Sequence, residues 1–65
     1  MNLRKDILKK IAQGRLESEY GFGPALKNIT LLEASGDGQY ILCAVKFGGT
    51  THEYSMDGIT VEKRK

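Results

Sequence analysis

The sequence predicts an α+β fold: an N-terminal helix packed on one face of a four-stranded antiparallel meander, in the order α-β-β-β-β. Three observations predict it. Apolar residues recur at helical spacing near the N-terminus, strand formers fill most of the chain from residue 28 onward, and glycine-containing turn signals cut that region into hairpins. The 65 residues leave room for one small domain, 1–65, and for no second core. A chain this short buries only about 60% of its unfolded surface, so domains of this size often lean on a disulfide, a metal or a partner chain.

The helix is expected from Asn2 to about Gln13, with Leu3, Ile7, Leu8 and Ile11 as its apolar stripe. Asn2 supplies a capping side chain, Asp6 lies near the positive end of the helix dipole, and Lys9 and Lys10 lie near the negative end. Gly14 provides a stop. Such a short helix is marginal alone, so its stripe must dock on the sheet. Residues 15–26 follow as an irregular connection, in which Leu16 to Tyr20 has room for one helical turn before Gly21, Gly23 and Pro24 end it. Connections of this length are disproportionately functional or mobile.

Residues 28–34 and 39–47 read as strands separated by Ser35-Gly36-Asp37-Gly38, and Gly48-Gly49 and Asp57-Gly58 read as two-residue hairpin turns. On this reading every one of the eight glycines falls in a turn or in the irregular connection. The Gly-Gly turn sets Val45 against His52, Cys43 against Tyr54 and Ile41 against Met56. The Asp-Gly turn sets Met56 against Ile59, Tyr54 against Val61 and Glu53 against Glu62. Because side chains alternate along a strand, Ile41, Cys43, Val45, Phe47, Tyr54, Met56, Ile59 and Val61 share one face, with Leu32 and Ala34 joining them. That face receives the helix.

The opposite face is polar toward the last two strands and carries Ile29, Leu31, Tyr40, Leu42 and Ala44 toward the first two. One helix covers one face. Either the 15–26 connection folds over this second apolar area, with Leu16, Tyr20 or Phe22 as cover, or another molecule does. Contiguous apolar patches left exposed on small proteins usually mark interaction sites.

Composition narrows the function classes. The single cysteine, Cys43, rules out an internal disulfide and fits a reducing, cytoplasmic setting. No apolar run approaches the roughly 20 residues of a membrane span, and Lys9 and Lys10 interrupt the N-terminal apolar residues where a signal peptide needs continuity. Cys43 and His52 lie one diagonal step apart on adjacent strands, yet the chain has no second cysteine or histidine to complete a zinc site. As nucleophile and base the same pair lacks an orienting third group, and a mid-strand thiol facing the core is closed to substrate. Glu17 and Glu19 read as solvated surface charges rather than an acid/base pair. Gly21-Phe22-Gly23-Pro24 lacks the Lys-Ser/Thr of a phosphate loop and reads as a tight turn exposing Phe22. No enzyme, metal or cofactor is expected.

The net charge of +2 is unevenly spread. Arg4, Lys5, Lys9, Lys10 and Arg15 face only Asp6 in the first fifteen residues, the middle of the chain is acidic, and Lys63-Arg64-Lys65 closes it. This distribution permits contact with phosphates, so a nucleic-acid-binding domain using Arg4, Lys5, Lys9, Lys10, Arg15 and the tail is the rival reading. No residue run matches an RNA-recognition motif, a zinc finger or a helix-turn-helix. The preferred expectation is a non-enzymatic protein–protein interaction module. It docks a partner, or a second copy of itself as a homodimer or by edge pairing, through Tyr20, Phe22, Ile29, Leu31, Tyr40 and Leu42. Phage- or mobile-element-type accessory and inhibitor proteins include small disulfide-free domains of this kind; no motif here singles out that class.

Overall fold

A computed structural model describes residues 4–64. It contains the expected α-β-β-β-β order: helix α1 (Lys5–Tyr20), a short 3-10 turn (Leu26–Asn28), and strands β1 (Ile29–Ala34), β2 (Tyr40–Phe47), β3 (Thr50–Asp57) and β4 (Thr60–Arg64). The strands form one antiparallel sheet in sequential order, β1-β2-β3-β4. The expected Asn2 cap and the Leu3 contact lie outside the described residues.

The helix runs a further two turns beyond the expected stop. Gly14 sits inside it, exposed, with nothing near the position a β-carbon would occupy. The true terminator is Gly21, whose φ of 81° is left-handed and whose N–H donates to the Glu17 carbonyl at 2.8 Å. Packing explains the extension. Leu8, Ala12 and Leu16, spaced four residues apart, are the buried helix positions, and Leu16 lies two residues beyond Gly14. An interior glycine costs about 1 kcal/mol relative to alanine, which is less than the roughly 1.5–3 kcal/mol that full burial of a leucine contributes. Ile7, expected in the stripe, is instead 37% exposed.

The connection shrinks to Gly21–Ala25 and is tied down. Gln13 donates from Nε2 to the Pro24 carbonyl at 2.8 Å, Pro24 is buried, and Gly23 lies so close to Gln13 and Glu17 that an added β-carbon would sit 3.2–3.3 Å from their side chains.

β2 and β3 pair as expected, with Val45 opposite His52, Cys43 opposite Tyr54 and Ile41 opposite Met56. The other two pairings differ. In β1, Ile29 stands opposite Val45 and Leu31 opposite Cys43, but a bulge at Leu32 then resets the alternation, so that Glu33 pairs with Leu42 and Ala34 with Ile41. Ile29 and Leu31 therefore face the helix, where Ile29 is only 1% exposed, and Leu32 leaves the core at 49% exposed. An extra residue in one strand lets apolar side chains on both sides of it reach the same face.

The last turn is Gly58-Ile59, one residue later than expected. Asp57 stands opposite Thr60 and Met56 opposite Val61. Gly58 has φ of 62° while Ile59 does not take positive φ, which fits a hairpin turn whose first central residue alone is left-handed. Gly48 at the preceding turn has φ of 60° in the same position. Moving a two-residue turn by one position moves the pairing by two, so facing is preserved and Val61 stays buried. Ile59 is carried to the turn tip, where it is 93% exposed. The shift also replaces the expected Glu53–Glu62 opposition by Glu53 opposite Arg64 and Glu62 opposite Ser55. Like charges directly across a pair are unfavourable and opposite charges favourable.

One core results, between α1 and the inner face of the sheet: Leu8, Ala12 and Leu16 against Ile29, Ile41, Cys43, Val45, Tyr54, Met56 and Val61. An aromatic chain extends it at one end, from Tyr54 through Tyr20 (5.7 Å between ring centroids) and Phe22 (6.0 Å) to Phe47 (5.2 Å) and His52 (5.8 Å).

Candidate functional site

Because Ile41, Cys43 and Val45 are buried beneath the helix, Tyr40, Leu42, Ala44 and Lys46 must project from the opposite face of β2. Their cross-strand partners project with them. One row across the sheet carries Tyr40, Asp57 and Thr60; the next carries Glu33, Leu42, Ser55 and Glu62; the third carries Thr30, Ala44, Glu53 and Arg64; and Lys46 and Thr51 form the last. No element among the described residues packs on this outer face. Tyr40, Leu42 and Ala44 are half-buried by their sheet neighbours alone, and every charged residue around them is exposed.

The charges on this face are sorted along the strands. Glu33, Asp57 and Glu62 surround Tyr40 and Leu42 without a cation in their two rows, whereas Lys46 and Arg64 occupy the other two rows with Glu53. The outer face thus has an apolar column on a central strand, an acidic end and a mainly basic end.

The residues expected to bind a partner do not form one patch. Tyr40 and Leu42 lie on the open face. Ile29 and Leu31 do not, since the bulge places them on the helix side, and the expected five-residue apolar patch is reduced to Tyr40, Leu42 and Ala44. Leu16, Tyr20 and Phe22 do not cover this face either: Leu16 is in the core, and Tyr20 and Phe22 pack against Tyr54 and Phe47 on the helix side. Tyr20 and Phe22 remain 42% and 40% exposed, so they form a second, separate aromatic surface. Its signal was present in the sequence as Tyr20-Gly21-Phe22; the contact with Phe47 was not.

The basic residues are likewise divided. Arg4, Lys5 and Lys10 are exposed and Lys9 is half-buried on the first turns of α1, with Arg4 beside Asp6 at 3.5 Å. Arg15 turns inward: its Nη1 is buried and finds no hydrogen-bond acceptor among the described residues. On β4, Lys63 stands opposite the buried Tyr54 and Arg64 opposite the outward Glu53, so these two cations point to opposite faces.

Cys43 is fully buried, and desolvation pushes its thiol pKa up to about 11, the reverse of what a nucleophile needs. His52 lies against Phe47. Among the described residues, no cluster of three or more His, Cys, Asp and Glu side chains converges as a metal site. An open groove of about 460 Å³ is lined by Thr51, His52, Glu53, Lys63 and Arg64, but His52 and Glu53 are consecutive in β3 and point to opposite faces, so they do not converge on a common substrate position.

Comparisons with protein-family models, with curated proteins and with solved structures find no match to this chain.

Proposed function

We propose that the chain is a non-enzymatic binding module that docks a protein partner on the open face of its sheet. The observation that carries this reading is the column Tyr40-Leu42-Ala44 on a central strand, facing away from the helix. Antiparallel sheets can leave one face in water, but that face then normally alternates to polar residues. β3 and β4 follow this rule with Asp57, Ser55, Glu53, Thr60 and Glu62, and β2 departs from it. Tyrosine and leucine on a rigid strand lose little conformational freedom on docking, and a surrounding ring of charge is the usual anatomy of an interface. The buried, high-pKa thiol and the absence of convergent polar groups around the groove weigh against catalysis. The division of the basic residues over several surfaces weighs against the rival nucleic-acid reading.

Placing a photo-crosslinking amino acid at Leu42, with Lys10 on the outer helix surface as control, tests the reading in the source cells. Docking on the sheet predicts discrete adducts from position 42 and none from position 10. Adducts from position 10 alone, or from neither, would contradict it.

A further inference from the structure

Resting on that docking face, we infer that its occupant is a second copy of this chain, placed sheet to sheet by a two-fold axis that lies between the sheets and runs across the strands.

The sorting of charge along the strands selects this arrangement. A two-fold across the strands, passing between the Leu42 row and the Ala44 row, sets β2 over β2 in opposite directions and reverses the order of the rows. Leu42 then meets Ala44 of the second copy, Tyr40 meets its Lys46, Glu62 meets its Arg64 and Arg64 meets its Glu62. The acidic end of each face lies over the mainly basic end of the other. Glu33 falls over Thr30 and Ser55 over Glu53, so no pair of like charges is forced together in the two central rows. The lysine over tyrosine contact is of the cation–π type. Packed sheets cross at roughly 30°, and the long Glu62 and Arg64 side chains accommodate the resulting offset at the edge strand.

A face-to-face two-fold parallel to the strands, passing between β2 and β3, sets β1 over β4 and β2 over β3. It stacks Glu33 directly on Glu62 of the second copy, twice, and puts Leu42 on Ser55 and Ala44 on Glu53. That arrangement opposes carboxylates and covers the apolar column with polar groups. The face thus discriminates between the two symmetric pairings by repulsion as well as attraction, as specific interfaces do. Interfaces of this isologous kind are the commonest route to a soluble oligomer.

Four strands spaced about 4.8 Å apart, with three to four rows along them, offer a face of roughly 400 Å². This is about half of the ~800 Å² per partner in a standard interface, so association is weak and concentration-dependent.

Sedimentation equilibrium from about 10 µM to about 1 mM, a range suited to so small an interface, tests the pairing on the wild-type chain and on Glu62→Lys, Arg64→Glu and their equimolar mixture. Wild type is expected to pass from monomer to dimer. Each variant alone sets two like-charge pairs across the axis and is expected to stay monomeric. In the mixture a cation of one variant meets a carboxylate of the other at both contacts, so the mixture is expected to dimerise. Arg64→Glu also faces Glu53 within its own sheet and could fray β4. Glu62→Lys faces only Ser55, so its monomeric behaviour, with an unchanged circular dichroism spectrum, carries the test independently. A wild-type monomer throughout the range, or dimers of undiminished strength in Glu62→Lys, overturns the inference. Crosslinks from position 42 to a different protein, with a monomeric wild type, would overturn the second copy while leaving the docking face intact. A monomeric wild type with no adduct from position 42 would overturn both.

Discussion

Single residues in this chain set which groups are buried and how the buried ones titrate. Cys43 occupies the centre of the inner sheet face at 0% exposure, and its thiol titrates near 11 instead of the ordinary 9.0 because burial disfavours the thiolate. A raised acid pKa has a definite consequence for stability. Between pH 9.0 and about 11 the unfolded chain gives up the thiol proton while the folded chain keeps it, so the Cys43 contribution is fully present below pH 9.0 and is lost as pH rises toward 11. Chemical denaturation at pH 8 and at pH 10.5 should therefore show a larger alkaline loss of stability for wild type than for Cys43→Ala, which keeps the part of the loss that comes from Tyr54, whose pKa is also raised, first by burial. Equal losses in the two proteins would contradict the burial assigned to this thiol. In the turn between β1 and β2, Asp37 accepts from the Gln39 N–H at 3.0 Å and from the Ser35 hydroxyl at 2.7 Å, while the Ser35 hydroxyl accepts from the Tyr40 N–H at 2.9 Å. These bonds, the Gln39 N–H foremost, hold the Asp37 carboxyl below its usual pKa and pin the hairpin that presents Tyr40.

At the scale of elements, the turns and the bulge decide which side chains reach water. The β3–β4 turn separates two isoleucine/valine positions that sequence alone assigns to the same core. Val61 is 8% exposed and Ile59 is 93% exposed. Removing two buried methyl groups by Val61→Ala should cost about 2 kcal/mol, whereas Ile59→Ala should stay within about 0.5 kcal/mol of wild type, as exposed substitutions do. Urea denaturation of both variants measures this; comparable losses would restore the Asp57-Gly58 turn.

The element order, all of β2–β3 pairing and the inner face of β2 were legible because Gly48-Gly49 fixes the register and alternation does the rest. The later turn was less legible because Asp-Gly and Gly-Ile are both competent turn centres. What separates them is the opposition of Glu53 with Glu62 in one register and with Arg64 in the other, a comparison between distant residues. The bulge did leave a mark. Ile29-Thr30-Leu31-Leu32-Glu33-Ala34 has apolar residues at 29, 31, 32 and 34, and the adjacent pair at 31 and 32 is where the alternation changes phase. The helix end was misplaced for a related reason. Gly14 is a local stop signal, while Ala12 and Leu16 continue the Leu8 stripe past it, and burial of Leu16 outweighs the propensity of one glycine.

For the molecule as a whole, the consequence is a two-layer structure with unlike exteriors. The helix side carries the exposed Arg4, Lys5 and Lys10 and, apart from them, the Tyr20 and Phe22 aromatics. The sheet side carries the Tyr40-Leu42-Ala44 column between acidic and mainly basic ends. Of the candidate site, Tyr40 and Leu42 were legible because they alternate with Ile41 and Cys43 on a strand whose register was secure. Ile29 and Leu31 were not, because their facing depends on one inserted residue in β1. The docking role proposed for this protein depends on the sheet side being a free face. A water-soluble paramagnetic agent, added to the dilute protein and read by nuclear magnetic resonance along β2, tests that most directly. Strong relaxation enhancement is expected at the side chains of Tyr40, Leu42 and Ala44 and little at those of Ile41, Cys43 and Val45. Protection of all six in the monomer, or enhancement at the second set in place of the first, would contradict it.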